Sequence, residues 1–214
     1  FVFDVSHQCY PHKVLTGRAA GFLGDVDDMN AISGYSSPSE CPEYDNFEVG
    51  HTSPSVSLAT GLQKARDVKG THENIIAVIG DGSLSGGEAF EGLDEASELG
   101  TGIIIVVNDN EMSIAENHGG IYKNLRALRE SNGACEHNWF KAWGFKYTYL
   151  EEGNDIAKLI DVFRSVKDTA RPTVVHIHTE KGHGYAPAVQ NKEASHWGLP
   201  FILDAGSRPV RTAD

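Results

Sequence analysis

The sequence predicts an α/β domain with a parallel sheet flanked by helices on both faces, and one stretch of the chain supplies the main evidence. Ile75–Ile79 and Ile103–Val107 are short, continuous apolar runs rich in β-branched residues, which is typical of strands that are buried on both faces. Between them, Ser83–Leu99 has apolar residues at helical spacing. A strand, a helix and a second strand in this order predict a right-handed βαβ unit of a parallel sheet.

The remaining elements follow from the same periodicities. We expect further strands at Phe1–Val5, Gly144–Leu150 and Pro172–His178. We expect further helices at Pro54–Lys69, Ile121–Glu130 and Glu136–Trp143, and one more with Ile156, Leu159, Ile160 and Phe163 on its apolar face. Ser53 is the predicted N-cap of the first of these helices, Pro54 its first residue and Gly70 its C-terminal cap.

Composition limits the class of protein. The chain has 214 residues, 40% of them hydrophobic, and a net charge of −12. Three scattered cysteines without a CxxC pair suit the reducing cytoplasm. The sequence has no basic stripe of the kind that binds nucleic acid. No apolar run approaches the ~20 residues of a membrane span. We assign residues 1–202 to one domain and 203–214 to a linker or tail, and we expect an N-terminal segment to be missing because the chain opens on a core strand.

Polar residues follow both central strands. Asp81 lies between Gly80 and Gly82 after the first strand, and Asn108–Asn110 follows the second. In parallel sheets, ligands bind beyond the carboxyl ends of the strands. The glycine turn leads into a helix N-terminus, which favours an anion, and Asp81 would repel that anion unless a cation lay between them. Asp81 with an oxygen of Asn110 therefore predicts Mg²⁺ bridged to a phosphate or diphosphate. The alternative is a turn aspartate that caps the helix.

The GDG sequence, followed 29 positions after Asp81 by Asn110, resembles the thiamine diphosphate motif. In that family the aspartate, the asparagine and a main-chain carbonyl two residues further on hold the metal. The resemblance therefore implies that Asp81, Asn110 and the carbonyl of Met112 bind Mg²⁺, and that the fold is the diphosphate-binding type of domain.

Two longer segments resemble 1-deoxy-D-xylulose-5-phosphate synthase. These are SHQCYPHKVLTGR, from residue 6 to residue 18, and NDNEMSIAENHGGI, from residue 108 to residue 121. At the position of the first segment, transketolases have only a short GHG. Ser6 replaces the family glycine, and the family has some 40–50 further residues in its middle that are absent here. His12 and Lys13 in the first segment are compatible with a solvated helix face.

The same resemblance implies the site residues. GHTS at 50–53 and TEKGHGY at 179–185 match family segments that contact the cofactor, and ASHWGLPF at 194–201 matches the end of the domain. The implied catalytic residues are His7, His51 and His196. The implied cofactor-binding residues are His7, Gly50, His51, Thr52, Asp81, Gly82, Ser83, Asn110, Met112, Lys181 and Tyr185. His176 and His178 share one face of a predicted strand, and we interpret them as structural.

Ala19–Gly50 is rich in Gly, Ser, Pro and Asp and holds seven acids but no Lys or Arg. The family has basic residues in this region. A loop of this length is usually functional, covered by a partner or mobile. The sequence leaves open whether it is a flexible acidic loop, a lid or a partner contact.

The resemblance implies a transferase that converts pyruvate and glyceraldehyde 3-phosphate to 1-deoxyxylulose 5-phosphate and CO₂. In the family, a glutamate of a second, pyrimidine-binding domain activates the cofactor, and these 214 residues hold no candidate for that domain. We therefore expect cofactor anchoring without independent turnover, with the second domain in the same chain or in a partner subunit, and a homodimer. The alternatives are a transketolase-like split subunit and a non-catalytic binding module.

Overall fold

Five short strands pair in parallel to form the central sheet. They are β1 (Val2–Phe3), β2 (Ile76–Gly80), β3 (Ile104–Asp109), β4 (Lys146–Leu150) and β5 (Thr173–His178), and their order in the sheet is β1-β2-β3-β5-β4. The structure is a computed structural model that describes residues 1–5, 7–22, 32–196, 202–203 and 209–210. The predicted parallel sheet is confirmed, with each predicted strand present within a few residues of its expected bounds.

The helices connect the strands and cover both faces of the sheet. They are α1 (Tyr10–Lys13), α2 (Ser55–Lys69), α3 (Asp81–Leu84), α4 (Gly87–Leu99), α5 (Gly120–Glu130), α6 (Trp139–Ala142), α7 (Ile156–Val166) and α8 (Ala186–Gln190). None of the described helices is long and apolar enough to cross a lipid bilayer.

Alternate residues of the central strand belong to two separate cores. Ile105 and Val107 of β3 pack with α2, α4, α5 and α6 in the larger core. Ile104 and Val106 face the other side, where the smaller core receives only α7 among the described helices. This alternation explains why the strand is apolar throughout, since both of its faces are buried. The predicted helices on both faces are thereby confirmed.

The first predicted strand is shorter than expected. Pairing with β2 ends at Phe3, and Val5 has a positive φ of 56° that ends the extended conformation. Between them Asp4 is fully buried, and its carboxylate accepts hydrogen bonds from the backbone N–H groups of Ser53 at 2.9 Å and Ser55 at 3.0 Å. The strand is therefore followed by an acid that satisfies the first turn of α2.

The predicted caps of α2 are half right. Gly70 has the left-handed conformation expected of a C-terminal cap, with φ of 68°. Ser53 is not the N-cap: the helix begins at Ser55, with Pro54 as the preceding cap residue, and Ser53 has a φ of 86°. The hydroxyl of Ser53 instead donates to the carbonyl of Ser83 at 2.8 Å, because Asp4 already caps α2 from the neighbouring strand.

Two further helix predictions need correction. Ser83–Leu99 is not one helix, because α3 and α4 are separated at Ser85 and Gly86. A Cβ at Gly86 would lie 1.9 Å from the hydroxyl oxygen of Ser53, so the interruption lets residues 50–53 pack against this turn. The predicted helix Glu136–Trp143 shortens to Trp139–Ala142, with the side chain of Asn138 accepting from Lys141 N–H as its cap.

The acidic segment that follows α1 is held to the domain by buried ion pairs. Lys13, predicted on a solvated helix face, is fully buried and donates to Glu40 and to the carbonyl of Ser33, both at 2.6 Å. Arg18 binds Asp45 at 2.7 Å and Glu40 at 2.9 Å. Burial opposes the charge of Asp45, but the hydrogen bond and charge of Arg18 lower its pKa to about 2. Residues 32–48 are thus a docked segment, while residues 23–31 lie outside the described part.

The apolar face of α7 is only partly used. Leu159 and Val162 pack against the smaller core and Val166 is buried, whereas Ile156 and Ile160, predicted on the apolar face, are exposed. Beyond α8, the backbone of residues 202–203 pairs antiparallel with that of 209–210. The assignment of 203–214 as a linker or tail stays a prediction, since most of it lies outside the described residues.

Candidate functional site

The carboxyl ends of four strands meet at one edge of the sheet, called here the rim. It is formed by the segments that follow β1, β2, β3 and β5. Side chains link these segments: Asn108 donates to Gln8 at 3.4 Å and accepts from the Thr179 hydroxyl at 2.6 Å. Gln8 also lies over Gly80, where a Cβ would stand 2.7 Å from its amide nitrogen. The glycine therefore allows the first segment to cross the second.

Asp81 is the buried acid of the rim. It begins α3, is 2% exposed, and its Oδ2 accepts a hydrogen bond from the amide of Asn117 at 2.7 Å. The loop after β3 (residues 110–117) covers the glycine turn, because a Cβ at Gly82 would lie 2.7 Å from the Cβ of Ser113. Tyr122 donates to the carbonyl of Gly82 at 3.4 Å. The structure thus brings the turn after β2 and the loop after β3 into direct contact.

Asp81 and Asp109 form a pair of neighbouring buried acids with opposite properties. Burial and then the charge of Asp109 raise the pKa of Asp81 to about 7. Burial opposes the charge of Asp109 as well, but the hydrogen bond from His176 and the charge and hydrogen bond of Arg129 lower its pKa to about 2. Asp109 therefore has an ion-pair partner and a further hydrogen-bond donor within the protein, whereas no described basic side chain forms an ion pair with Asp81.

Three basic side chains lie on the same rim as Asp81. The ammonium of Lys181 donates to the carbonyl of Ser113 and to Nδ1 of His196, the latter at 3.1 Å. The rings of His7 and His196 meet edge to face, with centroids 6.3 Å apart. The sequence prediction that His7, Asp81 and Lys181 share one rim is consistent with this arrangement, which also adds His196 to the group.

The basic side chains of the rim lower one another's affinity for protons. Desolvation, then His196 and Lys181, lower the pKa of His7. Desolvation and then Lys181 lower the pKa of His196. Desolvation also lowers the pKa of Lys181, while the charge of Asp81 opposes that shift. An anion bound among these groups would stabilise their protonated forms, so their mutual repulsion favours a negatively charged ligand.

The turn that holds Gly50, His51 and Thr52 packs beside the rim through its last residue. Ser53 connects this turn to Ser83, as described above, whereas Gly50, His51 and Thr52 are exposed. The ring of His51 donates from Nδ1 to the carbonyl of Thr52 at 2.6 Å. Of the three predicted catalytic histidines, the structure brings His7 and His196 together and leaves His51 on this separate turn.

The other predicted metal ligands lie in the loop after β3. Oδ1 of Asn110 accepts the N–H of Met112 at 3.1 Å, which is a local turn contact. No described hydrogen bond joins Asn110 to Asp81, and the amide that reaches Asp81 is that of Asn117. Asn110 and Met112 line an open cleft of about 580 Å³, together with acidic residues such as Glu111, Glu151 and Glu180. Within the described residues, no cluster of three or more His, Cys, Asp or Glu side chains could hold a metal alone.

Tyr185 is half-buried and immediately precedes α8. Ser6 and residues 197–201, which belong to two of the matching segments, lie outside the described residues. Sequence reasoning missed Gln8, Asn117 and Asp109 as site residues. All three lie within the two long matching segments, but the position of Asp109 beside Asp81 depends on the pairing of β2 with β3.

Comparison with known proteins identifies the family of this chain. The family model described as 1-deoxy-D-xylulose-5-phosphate synthase matches residues 1–137 and 132–179. The chain belongs to the 1-deoxy-D-xylulose-5-phosphate synthase family. This confirms the family expected from the two long matching segments.

Individual members of the synthase family match almost all of the chain. The 1-deoxy-D-xylulose-5-phosphate synthase of Desulforudis audaxviator is 38% identical, over 98% of this chain and 38% of the relative. The enzyme of the same name from Porphyromonas gingivalis is also 38% identical, over 97% of this chain and 38% of the relative. The chain therefore spans 38% of the length of these relatives.

A solved structure confirms the fold. Transketolase from Leishmania mexicana superimposes with a TM-score of 0.62 at 21% identity, over 84% of this chain and 28% of that chain. At this level of identity the likeness concerns the fold alone, and it agrees with the predicted transketolase-like parallel sheet.

Proposed function

We propose that this chain is the diphosphate-anchoring domain of a 1-deoxy-D-xylulose-5-phosphate synthase-like transferase, and that it binds thiamine diphosphate through Mg²⁺ at the rim. The observation that carries the proposal is the juxtaposition of one buried acid, Asp81, with the basic group His7, Lys181 and His196. A negative and a positive half on one rim match a divalent cation and the diphosphate that it binds.

The residues of the rim fit a magnesium ion by their chemistry. Asp81 is a buried carboxylate whose raised pKa reflects an uncompensated charge beside Asp109, and a cation would supply the missing compensation. Asn110 and the carbonyl of Met112 add neutral oxygens, which is the ligand type that Mg²⁺ prefers. Phosphate oxygens of the cofactor and water would complete its coordination. This accounts for a protein ligand set with a single acid.

The residues of this chain would have distinct tasks at the bound cofactor. Asp81, Asn110 and Met112 would hold the metal, and Gly82 and Ser83 at the start of α3 would let the backbone approach the diphosphate. Lys181 would donate to a phosphate oxygen, and Gly50, Thr52 and Tyr185 would border the cofactor. Thiamine diphosphate, when bound, supplies a nucleophilic carbon at its thiazolium ring. His7, His51 and His196 would lie near that reacting centre as proton donors or acceptors.

The activity of the whole protein extends beyond this chain. By analogy with the relatives, the complete enzyme would join pyruvate to glyceraldehyde 3-phosphate with loss of CO₂, as a cytoplasmic homodimer. The pyrimidine-binding domain would come from the same polypeptide or from a partner subunit. The comparisons favour this synthase over a transketolase-like split subunit, because the matching family model and the most similar curated relatives are synthases.

Calorimetric titration of the chain with thiamine diphosphate tests the proposal. We expect binding in the presence of Mg²⁺, and loss of binding by at least about 100-fold in Asp81→Ala, because water cannot replace a carboxylate that binds the metal directly without a loss of affinity. Asp94→Ala removes an exposed acid of α4 and is the matched control, with unchanged affinity expected.

Two outcomes would refute this function. Equal affinity of the parent and Asp81→Ala would exclude the metal bridge through Asp81. Absence of binding to the parent, with the fold intact, would favour a non-catalytic module that has kept the architecture alone.

A further inference from the structure

A buried chain of polar side chains lies under the rim. The hydroxyl of Tyr147 on β4 is 2.8 Å from Nδ1 of His176 on β5, and Nε2 of His176 is 2.8 Å from Oδ2 of Asp109 on β3. His176 and Asp109 are fully buried. This chain is called here the buried relay, and the proposed cofactor contacts leave Tyr147 and His176 without a role.

One arrangement of protons satisfies every polar atom of the buried relay. Tyr147 donates its O–H to Nδ1 of His176, and the N–H at Nε2 donates to the carboxylate of Asp109. The guanidinium of Arg129 on α5 also donates to Asp109. Three elements of the fold thereby converge on one carboxylate, which fixes its position more firmly than a single contact could.

Asp109 in turn holds the loop after β3. Its Oδ1 accepts the N–H of Glu111 at 3.0 Å, and its main-chain carbonyl accepts the N–H of Thr179 at 2.9 Å. Glu111 has a φ of 69°, a left-handed conformation that is unfavourable for a glutamate. The hydrogen bond at its N–H compensates for this strain. The residue after Glu111 is Met112, whose N–H donates to Asn110 and whose carbonyl is a proposed metal ligand.

We propose that the buried relay is a positioning device that holds residues 110–117 in the conformation that presents Asn110 and Met112 to the metal. The inference rests on the proposed function of the rim. Tyr147 and His176 act on the loop through Asp109, and Arg129 acts both through Asp109 and through its ion pair with Glu111 at 3.4 Å.

Two measurements on four variants test the inference. The variants are His176→Leu, His176→Gln, Tyr147→Phe and His72→Gln. Electron paramagnetic resonance of Mn²⁺, added with thiamine diphosphate, gives the metal affinity, and amide exchange gives the protection of residues 111–117. Glutamine can place its side-chain N–H where Nε2 of His176 lies. His176→Gln therefore keeps the donor to Asp109 and tests whether the loop depends on that hydrogen bond.

We expect metal affinity to fall about 10- to 100-fold in His176→Leu, as for other partners of metal ligands. His176→Gln should recover most of this loss, and Tyr147→Phe should cost about threefold, the effect of one hydrogen bond. His72→Gln is the matched control: His72 is exposed in the segment between α2 and β2, at the amino-terminal end of that strand and so at the opposite edge of the sheet from the rim, and its affinity should match the parent.

The exchange data separate this inference from the proposed function. Faster exchange in 111–117 of His176→Leu, with β2 and α4 still protected, supports positioning even if the parent binds no cofactor, in which case the proposed function alone has failed. Unchanged exchange and affinity in His176→Leu would overturn the inference. An equal loss of protection throughout the domain in both His176 variants would also overturn it, because the relay would then stabilise the whole fold rather than the loop.

Discussion

Asp81 and Asp109 are both buried acids at the ends of adjacent strands, yet their surroundings differ. Asp109 accepts hydrogen bonds from His176, Arg129 and a backbone N–H. Asp81 accepts a hydrogen bond from the amide of Asn117, and the negative charge of Asp109 repels it. The pKa of one acid is lowered to about 2 and that of the other is raised to about 7.

This difference separates a structural acid from a binding acid. A carboxylate that serves the fold has its counter-charges inside the chain, so burial costs little net free energy. A carboxylate whose compensation is missing stores unfavourable energy that a bound cation can release. The three predictions below test this division, from the largest expected effect to the smallest.

Replacing the structural acid should have the largest effect on folding. We expect Asp109→Asn to lower the free energy of unfolding by about 4 kcal/mol, because Arg129 and His176 then keep buried charge and hydrogen-bonding groups without their partner. Urea unfolding at pH 7 measures the change. Asp94→Asn on the exposed face of α4 serves as the control. A loss below about 1 kcal/mol would mean that Asp109 contributes no more to stability than an exposed ion pair does, which would contradict its role as a structural acid.

Replacing the binding acid should have the opposite effect on folding in the absence of metal. A raised pKa means that the folded protein binds more protons than the unfolded chain between about pH 4 and pH 7, so the contribution of Asp81 to stability falls as the pH rises through this window. Asp81→Asn should remove that slope and raise the free energy of unfolding at pH 8 by about 2 kcal/mol.

Urea unfolding of the metal-free parent and of Asp81→Asn, at a series of pH values, measures this effect. Asp109 does not contribute to the same window, because its lowered pKa places its titration between about pH 2 and its ordinary value. If Asp81→Asn were less stable than the parent at pH 8, Asp81 would be a structural acid like its neighbour.

The smallest effect concerns the basic side of the rim. We expect Lys181→Met to weaken thiamine diphosphate binding about 10-fold, since it loses one charge-assisted hydrogen bond. The pKa of His196, which desolvation and Lys181 both lower, should rise partway towards its ordinary value. Proton NMR titration of the histidines measures the second effect. Lys69→Met at the exposed end of α2 is the control for loss of a surface cation, and an unchanged His196 titration in Lys181→Met would contradict the assigned interaction.

Local periodicity was enough to predict the sheet and most of its helices. Continuous apolar runs such as Ile103–Val107 have one stable environment, a strand covered on both faces. The break at Gly86 was not predictable, because it depends on the close approach of Ser53, which is distant in sequence. Burial of Lys13 was missed for the same reason: its partner Glu40 belongs to a segment without a regular pattern.

For the candidate site, too, the sequence predicted part of the arrangement and missed the rest. The chemistry of Asp81 and the matching family segments predicted that His7, Asp81 and Lys181 share the rim, whereas the predicted roles of these residues stay predictions. They could not predict which of two adjacent acids would be compensated, because Arg129 and His176 reach Asp109 from another helix and another strand. Pairwise side-chain contacts of this kind depend on the assembled fold, and one sequence without its structure does not specify them.

The hydrogen bonds from the backbone of Ser53 and Ser55 to Asp4 tie the turn at residues 50–53 to the edge strand β1. A short outer strand is the element that frays most readily, and here its last acid is also the anchor of a turn that carries His51 and Thr52. Opening of that strand would therefore release the turn as well. The two would lose order together, so the integrity of the proposed cofactor-contacting surface depends on an edge strand of only two paired residues.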